Sequence, residues 1–437
     1  GTLVAAEVNL VADGGAYCYT SPKVLGNATL MCTGPYAIPN VHVDSCVVYT
    51  NNLPNGAFRG FGGPQGAYLA EMQMNKLAEL LEMDPVEIRM KNLLDEEKTI
   101  SMNSKLPKGV SIREVLKDCA EASGWKLVDG AWKQVEEISQ PDPKKPYLRR
   151  GRGIACAYKN IGFSFGAPES CTAMVELHGQ TEIDYAVVHH AGSDVGQGAH
   201  TVFAQIAAEA LNLPIEKIRL VTGDTAFTPN SGSASASRMT FMAGNSIIGA
   251  AREALARWEQ EDRSAIATFV YRPPATTPMN KETGEAMPNF SYGYVAEAVD
   301  LEVDVETGEI HLLKVTCSDD VGKAINPQQV VGQIEGAVVQ AGGYAILENF
   351  IQRDGKVVTD KLSTYLIPTV LDIPDQVESR VLEIKDPIGP YGARGMGEMP
   401  YLPLVPAIAD ALHQATGVWF NRFPFTPELV SSTLQPF

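Results

Sequence analysis

Apolar residues recur at mixed three- and four-residue spacing behind Pro64: Ala67, Leu69, Ala70, Met72, Met74, Leu77, Leu80 and Leu81. That spacing lines one side of a helix and predicts one over 64–82. Asp84-Pro85 begins another, short helix through 93. Elsewhere the pattern turns to β. Residues 2–11 open the chain as a strand-like run, and 41–49 form another after the turn signals Gly34-Pro35 and Ile38-Pro39-Asn40. Residues 174–177 and 181–189 predict a hairpin about His178-Gly179-Gln180, and 296–305 with 310–319 a second across Glu306-Thr307-Gly308. Between them come a helix at 199–211, a strand at 217–221, a Gly/Ser/Ala loop at 230–238 and a long helix to about Asp262. A last helix is read at 333–347. Strands and helices interleave without a strict βαβ period, so the expected fold class is α+β, with mixed α/β layers. Pro141, Pro143 and Pro146, with the basic cluster Lys144, Lys145, Arg149 and Arg150, mark 126–150 as a linker between domains at 1–125 and 151–437.

Composition sharpens this picture. The 437 residues, 45% hydrophobic, can build a large core and are not globally disordered. Lys and Arg total 35 against 52 Asp and Glu, a net charge of −17. A phosphate backbone requires a basic face, so nucleic acid is excluded as the main partner. No apolar run approaches the ~20 residues of a membrane span. Opening at Gly1 directly in a strand, without a leader pattern, the chain reads as the downstream part of something longer. The seven cysteines are scattered and none shows Cys-x-x-Cys spacing, so zinc ribbons and iron–sulfur loops are not encoded. Free thiols in a reducing cytoplasm is the plain reading.

Four segments have compositions that suit no packed core. Residues 389–400 read Gly-Pro-Tyr-Gly-Ala-Arg-Gly-Met-Gly-Glu-Met-Pro, with one carboxylate, Glu398, ahead of the apolar run 402–412. It is either a general base or a cap on the helix dipole. Residues 55–66 place Arg59 between glycines and before a helix, an anion or polar-ligand cradle. Pro64 interrupts any dinucleotide-type glycine fingerprint. Residues 192–200 offer glycine-freed amides and the Gln197 amide, suited to a heterocycle or phosphate. His189, His190 and His200 lack metal-site spacing. Residues 230–238 are a hydroxyl-rich ligand loop or a flexible linker. Gln333, opening the helix before Glu335-Gly336, is a further polar candidate.

In this order, the segments resemble the molybdenum-cofactor subunit of the xanthine dehydrogenase and molybdenum hydroxylase family, and the likeness runs along nearly the whole chain. Phe58, Arg59 and Gly60 resemble the loop beside the metal. Val195, Gly196 and Gln197 resemble the glutamine loop over the pterin, and Ala236, Ser237 and Arg238 the loop holding the pterin and its phosphate. Gln333 matches a pterin contact, and Gly395-Met396-Gly397-Glu398 the turn bearing the catalytic glutamate. The resemblance implies mixed α/β molybdopterin-binding domains in two elongated subdomains, with Glu398 as general base. It implies a molybdopterin cofactor, plain or as the cytosine dinucleotide, whose metal is held by the pterin dithiolene and not by side chains. It implies [2Fe-2S] and FAD on partner chains, and a substrate that is a purine, another N-heterocycle or an aldehyde. Family molybdenum subunits are nearly twice as long, so an N-terminal molybdopterin-domain chain is expected to complete the site. Phe61 keeps one clamping phenylalanine of the xanthine enzymes. Glu169 falls near the other, and Asn27 near their substrate arginine.

Overall fold

The computed structural model describes residues 1–261 and 263–435. In chain order the elements are β1 (Ala5–Gly15), α1 (Ser21–Met31), β2 (Asn40–Tyr49), α2 (Gly63–Leu80), α3 (Pro85–Asn92), α4 (Ile112–Ala122), β3 (Trp125–Val128), β4 (Ala131–Gln134) and β5 (Leu148–Asn160). Next come β6 (Cys171–Gly179), β7 (Ile183–His189), α5 (Ala199–Leu211), β8 (Ile218–Val221), α6 (Met239–Glu259) and β9 (Ala265–Tyr271). The last are β10 (Tyr292–Asp304), β11 (Ile310–Asp320), α7 (Pro327–Ile346), β12 (Gln352–Arg353), β13 (Lys356–Val357), β14 (Gln376–Leu382), α8 (Leu404–Thr416) and α9 (Pro427–Leu434). The predicted helices and both hairpins are present. The expected end of the long helix at Asp262 lies outside the described residues.

Two four-stranded sheets organise the molecule. The first runs β14-β11-β10-β5, antiparallel through β5, β10 and β11, with β14 parallel to β11. α4 and α8 pack against it. Residues 153–160 of β5 are all buried, so both faces of that strand are covered. The second sheet runs β8-β7-β6-β9 and carries α5 and α6. Its core is separate, built from residues such as Leu177, Val188, Phe203, Phe241, Ile247 and Ala251.

The core of the first sheet draws on residues from Leu30 to Tyr158 and again from Ala286 to Val430. The packing therefore groups the chain differently from the expected 1–125 and 151–437. The expected linker 126–150 is structured at its two ends, in β3, β4 and the start of β5, and irregular over 135–147, where its prolines lie. β3 and β4 form a hairpin inside it, and Trp125 and Trp132 anchor that hairpin in the first core. Two buried tryptophans outweigh the prolines and lysines that follow them.

β1 and β2 pair in parallel as an isolated two-stranded ribbon. Its residues alternate between exposed and half-buried, with Val11 and Tyr49 open to solvent. Parallel strands are normally covered on both faces, and a lone pair of strands is marginal in water. Among the described residues no helix is long and apolar enough to cross a membrane.

Candidate active site

The glycine-rich turn is fastened from beneath before it reaches its carboxylate. Arg394 is buried, donates to the carbonyls of Tyr292 (2.6 Å) and Gly109 (2.7 Å), and is ion-paired with Asp320 at 3.2 Å and Asp386 at 3.5 Å. Asp386 in turn accepts from the N–H groups of Ile388 and Gly389, both at 2.9 Å. A short 3₁₀ turn, Met399–Tyr401, follows and is wholly buried. It lies on the first sheet at Gly293 of β10, where a Cβ would overlap the Met399 sulfur.

Held this way, Glu398 meets three other parts of the chain. Its Oε1 accepts from the Gly60 N–H at 3.1 Å. Ser237 Oγ donates to its Oε2 at 3.0 Å and accepts from its backbone N–H at 3.1 Å. The Lys159 ammonium lies 3.3 Å from Oε2. The carboxylate side chain keeps 13% exposure, against 1% for Lys159. Glu398 is thus a supported carboxylate with some access, which suits a base better than a cap. Ala236 and Ser237 both adopt positive φ, +57° and +50°. Two successive L-residues in that region are strained, and such strain marks a segment shaped for a purpose beyond packing.

Arg59 ties the same turn to α7. It donates to Gly397 O at 2.7 Å, Gln340 Oε1 at 3.3 Å, and the Gln333 carbonyl and Oε1 at 3.4 and 3.3 Å. Burial pushes its pKa down, although Glu398 opposes the shift. The guanidinium is therefore a strut joining loop, turn and helix, not the open anion cradle that the sequence suggests. Phe58 stacks on Tyr344 at 5.7 Å and edges Tyr401 at 5.6 Å. A cleft of about 880 Å³ lies along Phe58, Gln340, Glu348 and Tyr365, and Glu398 is not among its lining residues.

The glutamine loop joins the site through α7. Gln329, on the first turn of that helix, lies against Gly198. Its Oε1 is buried without a partner among the described residues. The loop's own polar groups are engaged internally. Asp194 accepts from the N–H groups of Gly196, Gly198 and His200 at 2.9, 3.2 and 3.2 Å. Gln197 accepts from the Val195 N–H at 2.6 Å and donates to Ser193 O at 2.8 Å. The amides expected to be free are thus capped by the loop itself. Val195, 82% exposed, and Gly196 remain open.

Three expected ligand residues are closed off. Arg238 is buried, donates to the carbonyls of Ser231, Ser233 and Ser170, and pairs with Glu169 at 2.5 Å. It rigidifies its loop from below, so its side chain does not reach a ligand. Glu169 also accepts from the Phe163 N–H at 2.8 Å, which removes it from the expected substrate contact. Asn27 is buried on α1 and accepts from Ser164 Oγ at 3.4 Å. Phe61 is half-buried. The structure brings Arg59, Gly60, Ser237, Gln333 and Glu398 together, while Glu169 and Asn27 belong to the scaffold. Lys159 was missed in the sequence. Its one signal is a lysine directly after the apolar stretch 154–158 of β5, at a position that stays buried.

Hydroxyl, amide and ammonium groups converge on a partly open carboxylate, with a buried amide oxygen left unpaired beside the glutamine loop among the described residues. Such a lining fits a polar, hydrogen-bonding cofactor of pterin type. Two family models described as molybdopterin cofactor-binding domain match the chain, one over residues 1–93 and the other over 118–267 and 254–374. The chain belongs to the molybdopterin-binding domains of the xanthine dehydrogenase and aldehyde oxidoreductase family.

Among its relatives, a probable xanthine dehydrogenase subunit of Bacillus subtilis is 31% identical over 98% of this chain and 59% of that protein. A probable hypoxanthine oxidase of Escherichia coli is 28% identical over 100% of this chain and 48% of that protein. The aldehyde oxidoreductase structure from Desulfovibrio desulfuricans superposes with a TM-score of 0.87 at 29% identity, covering 99% of this chain and 47% of that one. The chain thus spans about half the length of the relatives it matches.

Proposed function

We propose that this chain is the base-bearing part of a molybdenum hydroxylase acting on an electron-poor carbon of a purine or other N-heterocycle. The observation that carries this reading is Glu398, a partly exposed carboxylate held where the arginine loop, the serine loop and β5 meet. When bound, the molybdenum–pterin group, plain or as the cytosine dinucleotide, supplies the two-electron oxidation of the substrate carbon. Gln333, Gly60, Ser237 and the open Val195-Gly196 tip are the residues placed to hold it. Arg59 and Arg238 keep those loops in register from behind. Glu398 takes up the proton released as water-derived oxygen is activated, and Ser237 and Gly60 hold the carboxylate toward it. Electrons leave to iron–sulfur and FAD partner chains in a reducing cytoplasm. The uncovered β1–β2 ribbon supports a further partner, an N-terminal molybdopterin-domain chain that covers it and supplies the rest of the substrate wall.

An aldehyde substrate is the second reading. The closure of Glu169 and Asn27 favours it, because among the described residues these two are engaged within the protein and form no xanthine-type clamp. The deciding experiment is made on the assembled complex. Elemental analysis should find molybdenum, and Glu398→Gln should lower turnover by about 10²–10⁴. Unchanged turnover removes the base role, and bound NAD without molybdenum removes the whole reading. Activity on aldehydes with none on purines or pyridines selects the second substrate class.

A further inference from the structure

Lysine is almost never fully buried unless paired, because an ammonium removed from water must recover its solvation from partners. Lys159 is 1% exposed in the middle of a molecule whose other lysines sit mostly at the surface. Its donors account for its position. It gives hydrogen bonds to Asn160 O at 3.1 Å and Asn160 Oδ1 at 2.8 Å, and the third direction meets Glu398 Oε2 at 3.3 Å. Glu398 is its only ion-pair partner among the described residues. Burial lowers the pKa of Lys159, and the Glu398 carboxylate acts against that shift.

Behind the lysine runs a chain of hydrogen bonds. Asn160 Nδ2 donates to Ser164 Oγ at 2.9 Å, and Ser164 Oγ donates to Asn27 Oδ1 at 3.4 Å. Asn160 is thereby held through Ser164, and its side-chain oxygen in turn holds the ammonium. The strand pairing places Lys159 opposite Gly293, the residue whose lack of a side chain lets the Met399–Tyr401 turn lie against the sheet. Lysine and catalytic turn thus come together at one point of the first sheet.

We propose that Lys159 is a positioning residue for the Glu398 base, an ammonium anchored in the sheet that orients one carboxylate oxygen and balances its charge. This rests on reading Glu398 as the base. Four groups surround the carboxylate or its neighbours. Lys159 faces it from β5, the Ser237 hydroxyl from the serine loop and the Gly60 N–H from the arginine loop. The Arg59 guanidinium stands behind Gly397, and Asp319 of β11 acts on Arg59. Of the two cations, only Lys159 makes an ion pair with the carboxylate.

Two readouts test this. In the cofactor-loaded complex, Lys159→Met should lower kcat with little change in KM, and move the acid limb of the pH–rate profile upward by about one unit or more. Lys159→Arg, which keeps the charge, should restore the position of the limb. In the purified chain with its partners but without added cofactor, melting temperatures of Lys159→Met, Glu398→Gln and the double variant form a cycle. The fall caused by Lys159→Met should shrink to less than half in the Glu398→Gln background. An unmoved acid limb together with equal falls in both backgrounds overturns the proposal. Should Lys159→Met prevent assembly, the Arg variant's limb and melting decide, since a shifted limb despite retained charge also overturns it. If Glu398→Gln leaves turnover intact, the base reading fails whatever Lys159 does. If Glu398→Gln abolishes turnover and Lys159→Met neither couples nor shifts the limb, only the positioning role fails.

Discussion

Gly395 sits three residues before Glu398, the proposed base, and tests how tightly the turn must seat. A Cβ at this position would overlap the backbone carbonyl oxygen of Ser237, and nothing flexible is there to yield. Gly395 does not have positive φ, so the demand is for room and not for a special conformation. Restoring normal contact moves the turn or the serine loop by about 1 Å or more. Both sides of the gap lead to Glu398, because the turn carries it and Ser237 donates to its Oε2 at 3.0 Å. A misplacement of about 1 Å at a reacting group costs on the order of 10² in rate. Gly395→Ala is therefore expected to cut kcat of the loaded complex about 100-fold. Gly397→Ala is the internal control. Its Cβ would lie 3.8 Å from Gln333 Oε1 and 3.9 Å from Ser237 Oγ, ordinary contacts, and less than a tenfold change is expected. Steady-state turnover on one substrate, with molybdenum content measured for each variant, makes the comparison. Equal effects of the two substitutions, or a Gly395→Ala enzyme with full activity, would show that close seating of the turn does not matter.

Two further outcomes concern stability. Arg89 and Glu71 are an ion pair at 2.9 Å with neither side chain exposed, and Glu71 also accepts from the Tyr36 hydroxyl and the Cys156 N–H. Arg89→Met strands that carboxylate and should cost about 3–5 kcal/mol in denaturant unfolding, most of it recovered when Glu71→Leu is added. A loss under about 1 kcal/mol would contradict this. Burial pushes the Asp319 carboxyl up to about 7 from its usual 3.8. A raised carboxyl favours the folded state while it is protonated, so its contribution is complete below about pH 4 and is lost as pH rises toward 7. Asp319→Asn, neutral throughout, should gain melting temperature relative to the parent at pH 8 compared with pH 5. A difference that stays constant across that range would refute the assignment.

Much of this architecture can be read from the residues because it is locally periodic. α5 occupies the predicted 199–211, and the β6–β7 and β10–β11 hairpins fall where alternation meets a turn signal. What escaped was long-range or two-sided. The parallel pairings of β1 with β2 and β11 with β14 leave no mark in either strand alone. β5 is buried on both faces and so loses the alternation that identifies a strand. In the site, the turn bearing Glu398 stood out because glycine is concentrated there. The partners of Arg238 and Arg59 did not, since a sequence shows an arginine but not which carbonyls will surround it. Glu169 and Asn27 were assigned to substrate for the same reason. Lys159 was hidden by its setting, since a Lys-Asn pair closing an apolar stretch forms no motif and reads as an exposed strand end.

The contacts of Glu398 reach far along the chain. Gly60 is 338 residues away and Ser237 161. Contacts of such separation close last, after the sheets that carry them have formed. A growing polypeptide that has left the ribosome only as far as β14 therefore has Gly60 and Ser237 but not the carboxylate that joins them. Synthesis acquires an order from this: the Gly60–Glu398 and Ser237–Glu398 contacts can form only once the glycine-rich turn has been made, and a chain cut short before it carries the two loops unjoined.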